Sequence, residues 1–159
     1  MANEGVINGS DIMLYMNTGT DLSPVWTPIA HATEHTISIK SELRDRVTKD
    51  SGGWRSRKAG ILDGSINVSA LKTYDGYGYG DLIALVKAKT AIMAKYSGRP
   101  TADVTAGNAE VAETSGDKYE EGKFFIESVD SNDAVNTDST FSAVLQSDGK
   151  IETKTVSGS

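Results

Sequence analysis

Apolar residues in this chain recur at every second position, in short runs cut by Gly, Asn, Asp and Pro, and only once with helical spacing. Side chains alternate between the two faces of a pleated strand, so a period of two makes each run a strand with one face toward a core. In residues 11–16 (DIMLYM), Ile12, Leu14 and Met16 share one face, and Met13 and Tyr15 make the other apolar too. That strand is expected to be covered on both sides. The same spacing points Ile37 and Ile39 inward from 36–40, Ile66, Val68 and Ala70 from 61–74, and Phe141, Ala143 and Leu145 from 137–146. Ile92, Ala94 and Tyr96 share a face of 90–96, and a further strand is expected over 119–129. Pro28 within 25–32 marks an edge or bulge, because proline cannot donate to a ladder. Asp148-Gly149 is a hairpin signal leading into a last strand at 151–156.

The one helical stripe is short. Leu82, Leu85 and Val86 follow the glycine-rich stretch 76–80, with Asp81 in the first turn and Lys87 and Lys89 near the end. Those charges oppose the helix dipole favourably at both termini. The expected fold is therefore mainly β: an antiparallel sandwich or partly closed barrel with one short flanking α-helix. At 159 residues, the chain has the length of a single domain, 1–159. Four polar stretches interrupt it: an N-terminal arm at 1–10, a long extended loop at 41–60, a surface loop at 99–118 and a flexible C-terminal tail at 153–159.

Composition and motifs exclude much chemistry. The chain has no cysteine, hence no disulfide, thiolate metal site or cysteine nucleophile. Sixteen Lys and Arg against 22 Asp and Glu leave a net charge of -6, a sign that opposes a general grip on nucleic acid. No targeting segment is evident and no apolar run approaches a membrane span. His31 and His35 show the H-x-x-E-H spacing of some zinc sites. That motif works on a helix; in a strand, four residues separate the rings by about 13 Å, too far to share one zinc. Gly76, Gly78 and Gly80 lack the lysine and the βαβ setting of a phosphate loop. Asp130, Asn132 and Asp133 lack the closing glutamate of a calcium loop. No nucleophile, base and orienting group assemble, so no enzyme activity, no metal and no cofactor are expected.

The stretch 41–60 (SELRDRVTKDSGGWRSRKAG) is long for an ordinary connection in a compact domain. Gly52 and Gly53 open backbone conformations closed to other residues. Arg44, Arg46, Lys49, Arg55, Arg57 and Lys58 concentrate positive charge in an otherwise acidic protein. Trp54 either folds back onto its own core or reaches a neighbouring subunit. In the second case the contact would comprise Arg44, Lys49, Asp50, Ser51, Gly52, Gly53, Trp54 and Arg55, with acids of the 99–118 loop (Asp103, Glu110, Glu113, Asp117) as their counter-charges.

Three segments together resemble the major tail tube family of long, non-contractile-tailed bacteriophages. The first is Gly5-Val-Ile-Asn-Gly9 before a strand ending Leu14-Tyr15. The second is Ile29-Ala-His-Ala-Thr33 leading into Ile37-Ser-Ile39, then Arg44-Asp45 and Lys49-Asp-Ser-Gly-Gly-Trp54. The third is Gly122-Lys-Phe-Phe-Ile126-Glu-Ser128, Asn132-Asp-Ala134, Thr140-Phe-Ser142 and a terminal hairpin. The order and spacing run from about residue 5 to 152. The resemblance implies a β-sandwich with a flanking helix, as in the secretion-system tube protein. It implies a structural virion protein whose copies form six-membered rings stacked into a tail tube, assembled in the host cytoplasm. Its partners would be itself and the tape measure, tail-tip and terminator proteins. Viral DNA would pass through the lumen without specific binding, and no membrane is involved. The reading from another class is a monomeric β-sandwich that decorates a virion or acts as an adhesin-like binding module.

Overall fold

The structure, a computed structural model, describes residues 3–50 and 52–157. Ser51, the first two residues of the expected arm and the last two of the expected tail lie outside them. A 3-10 turn at Gly9–Asp11, capped by the Asn8 side chain, leads into β1 (Ile12–Asn17). Then follow β2 (Trp26–Pro28), β3 (Ala32–Asp45), β4 (Arg57–Leu71), α1 (Tyr79–Ala88), β5 (Ile92–Gly98), α2 (Thr101–Thr105), β6 (Lys118–Asn132), β7 (Thr140–Ser147) and β8 (Glu152–Thr155). The strands form one antiparallel sheet in the order β2-β1-β5-β6-β7-β4-β3, with β8 joined to β6.

The sheet curls on itself without closing. Leu14 and Met16 from β1 meet Val68 and Ala70 from β4, Phe124 from β6 and Phe141 and Leu145 from β7 in a single buried cluster. Residues far apart in strand order thus share one core, and each large side chain contributes about 1.5–3 kcal/mol by leaving water. His35 of β3 stacks edge-on against Tyr96 of β5 at 6.4 Å, where the curled ends approach. The helix α1 covers the core through fully buried Leu82, with Leu85 and Val86 packed beside it. Its start is fixed by the Gly78 N–H donating to the Asp81 carboxylate (3.1 Å), and its end by Lys89 in the left-handed conformation.

Several sequence expectations are corrected here. Ile39 is 53% exposed and does not point into a core. The ladder of β4 with β7 begins only at Ser65, so Ile39, opposite Gly64, lies where β4 has lost its outer sheet neighbour. The expected loop 41–60 is strand at both ends, in β3 up to Asp45 and in β4 from Arg57. Charged residues outnumber apolar ones in this ribbon, so its strand character is masked by polarity. The 99–118 loop contains α2 and holds the arm: the Asn3 amide groups donate to Asp117 and to the Ala112 carbonyl. Residues 153–155 of the expected tail lie in β8, and the Val156 N–H donates to Asp117 O (2.8 Å). Asp148-Gly149 makes no hairpin. Both β7 and β8 pair with β6, at Phe124–Asn132 and Lys118–Glu121 respectively, so the chain bends outward and resumes along the same edge.

Candidate functional site

Beyond Ser65 the two longest neighbouring strands leave the body as a free ribbon. β3 and β4 stay paired from Ile39↔Gly64 to Asp45↔Arg57, with a register shift between Ser41 and Leu43. The Arg46 N–H donates to Ser56 O (2.7 Å) and closes the ladder below the tip. Residues opposite one another in an antiparallel pair project to the same face. The face carrying Ile37 and Ile66 therefore continues outward through Ile39, Leu43 and Leu62, which are all exposed. Val47 and Ile61 are exposed as well. This apolar stripe was missed in the sequence, although Leu43 lies an even number of residues from Ile37 and Ile39 and could have been read from that.

Seven of the eight anticipated interface residues, all but Ser51, fall on the outer part of this ribbon. Arg44 lies on β3 opposite Lys58, and its Nε is 3.7 Å from Glu42. Lys49 and Asp50 enter the tip, Ser51 lies outside the described residues, and Gly52 and Gly53 both have positive φ (58° and 83°). Trp54 is 84% exposed, so within the isolated chain it does not fold onto its own core. Arg55 and Arg57 both approach Asp45, at 3.9 and 3.6 Å. Such exposed pairs are worth about 0–1 kcal/mol and do not neutralise the tip. The like-charged Arg44 and Lys58, directly opposite, weaken the isolated ribbon.

The acids expected to supply that partner are committed inside their own subunit. Arg99 holds Asp103 at 3.5 Å, and Ser97 Oγ donates to Glu113 (2.7 Å). Glu110 accepts from Asn8 Nδ2 (3.2 Å). Asp117 accepts from Thr114 and Asn3, bonds that lower its pKa. They tie the arm to the 99–118 segment and that segment to β5. Of the two histidines, His31 sits in the turn before β3 with φ 53°, while His35 packs against Tyr96. Burial, and secondarily Arg99, push the His35 pKa down.

An open antiparallel sheet with a projecting apolar and basic ribbon defines a subunit built to associate with other chains, since unpaired edges and bare apolar faces invite polymerisation. The family model for the phage tail tube protein matches residues 6–153, and the chain belongs to that family, a structural component of the virion tail. No curated protein matches the sequence. Among solved structures, the fold is similar to the tail of an empty gene transfer agent particle, determined with C6 symmetry (TM-score 0.71, 19% identity, 94% of this chain and 99% of that one). It is also similar to the SPP1 tail tube (TM-score 0.67, 16% identity, 96% and 81%). A chain of the anti-feeding prophage baseplate shares the fold at 7% identity (TM-score 0.61, 99% and 98%).

Proposed function

We propose that this chain polymerises as stacked rings, six subunits to a ring, to form the conduit for DNA ejection, and that it does no catalysis. The observation that carries this reading is the β3–β4 ribbon, which leaves Trp54 and an apolar stripe exposed among the described residues. A rotational contact closes a ring, whereas a head-to-tail contact repeats without end along an axis. The outer edge of β3, fourteen residues long and unpaired among the described residues, suits the ring contact. The ribbon tip suits the axial one. The outward faces of β4 and β7 carry Ser65, Asn67, Ser69, Ser142, Val144 and Gln146, none of them charged, with Gln146 Nε2 donating to Glu127 of the adjacent β6 (2.7 Å). We assign this face to the lumen, where a passing polyanion must not be held. Assembly in the host cytoplasm, with tape measure, tail-tip and terminator proteins as partners, follows from the same role.

The test is Trp54→Ala beside the unaltered protein. The expected outcome is a normal circular dichroism spectrum and melting temperature, with rings or short stacks replacing long tubes in negative-stain images. A buried aromatic at such a contact contributes roughly 2–3 kcal/mol, repeated six times per ring junction. Unaltered tubes from the variant would remove the ribbon from the axial contact. A protein that stays monomeric at millimolar concentration, even with tail-tip proteins present, would instead support a decoration module.

A further inference from the structure

The long strand β4 has opposite chemistry at its two ends. Its fifteen residues span roughly 45 Å at strand rise. At the start, residues 44–58 carry six cations against two carboxylates, with Val47 and Trp54 exposed among them. At the far end, Leu71 pairs with Thr140 and Asn132 pairs with Thr140 in turn, which brings the 72–78 and 133–139 loops side by side. Lys72 joins them: its Nζ donates to Ser131 Oγ (2.7 Å), pairs with Asp133 (3.1 Å) and lies 4.3 Å from the Tyr79 ring centre. That consumes the only cation of these two loops. Exposed Asp75 and Asp138 remain, beside Tyr74, which is fully exposed, and Val135, which is 88% exposed. The far end is thus an acidic surface with two bare apolar side chains, and the tip is a basic surface with two.

Resting on the tail-tube reading above, we infer that the 72–78 and 133–139 loops of one subunit receive the β3–β4 tip of a second copy. Complementary ends on one strand make a head-to-tail contact, which joins two different surfaces of the same chain and therefore repeats along the axis. The charges orient the approach, and burial of Trp54 against Tyr74 and Val135 holds it. The acids of the 99–118 segment do not take this role, because each already answers a donor of its own chain.

The chain lacks cysteine, so engineered pairs report contacts cleanly. Tubes of the double variant Asp50→Cys with Asp138→Cys, oxidised and run without reductant, should give a covalent ladder beyond the dimer. Asp50→Cys with Glu110→Cys should give none. A ladder from the Glu110 pair, or none from visible tubes of the Asp138 pair, overturns the assignment while leaving the tail-tube reading intact. Charge exchange supplies an independent arm. Arg46→Glu with Lys49→Glu, and Asp75→Lys with Asp138→Lys, should each cut tube length at least tenfold, and mixing the two variants should restore it. Absence of rescue from two folded variants counts against the inference. Failure of the unaltered protein to assemble at all would sink the tail-tube reading and this inference with it.

Discussion

His35 shows how one side chain links burial, charge and pH. It is half-buried where β3 approaches β5, and its Nε2 is buried without a partner among the described residues. Desolvation and the Arg99 guanidinium both disfavour the imidazolium, so the folded pKa lies below the unfolded 6.5. A depressed histidine pKa means the unfolded chain takes up the proton first. Its stabilising effect is therefore fully present above pH 6.5 and is lost as pH falls through the folded pKa. His35→Phe should retain the stacking on Tyr96 and flatten the decline in melting temperature below pH 6.5. An unchanged slope would show that the decline arises from carboxylates alone. Asp133 works in the same direction at lower pH: bonds from Ser131, Ser139 and Lys72 hold its pKa at about 2. Lys95 is another residue-scale device, its Nζ lying 4.7 Å from the Tyr119 ring centre and within 5.9 Å of those of Trp26 and Tyr15. This holds three aromatic residues on β1, β2 and β6 together through cation–π attraction.

Among the elements, the edge of β6 depends on a glycine. β7 leaves it at Phe124 and β8 arrives at Glu121, so the intervening bend passes directly over Gly122. A β-carbon there would lie 3.1 Å from Lys150 O and 3.3 Å from Ile151 Cα, both backbone atoms with little freedom to move. Gly122→Ala should cost about 1–3 kcal/mol as an overpacked site. Hydrogen exchange is expected to show lost protection in β8 while β6 and β7 keep theirs. Uniform loss across the sheet would mean that β8 is integral to the core fold and not an appended edge. The ribbon behaves in the contrary way. It is held by one ladder and exposed pairs, so its changes should be felt in assembly before they are felt in folding.

At the scale of the whole molecule, if the β4–β7 face lines the lumen as proposed, its lack of cations and the chain's net charge of -6 serve the same end. A conduit must keep a polyanion mobile, and a wall without cations offers the phosphates nothing to hold. Asn67 and Ser142 are exposed on adjacent strands of that face. Replacing both by Arg should leave tube assembly unchanged and turn inert tubes into tubes that retain DNA on a filter at low salt. Retention should fade as salt rises, since each phosphate contact releases counterions. If the double variant fails to assemble, the face is an interface and does not line the lumen.

The strand faces were legible because a period of two is imposed locally by the backbone. Leu14 and Met16, Ile66, Val68 and Ala70, and Phe141, Ala143 and Leu145 are buried as that period requires. The α1 stripe was equally visible, since i to i+3 and i+4 spacing needs no knowledge of the partner surface. The concentration of cations, glycines and one tryptophan at 44–58 was also plain in the residues. What periodicity does not carry is the identity of the neighbour across each strand. Nothing local tells Ile39 that β7 stops short of it, or tells residues 152–155 to pair with β6 and not with β7. Nor does sequence separation show that the acids of 99–118 face donors up to 114 residues away, as Asp117 does with Asn3. Those matters are decided by which strands end where, because exposure and charge pairing follow from the layer opposite, and that layer exists only once the sheet has folded over.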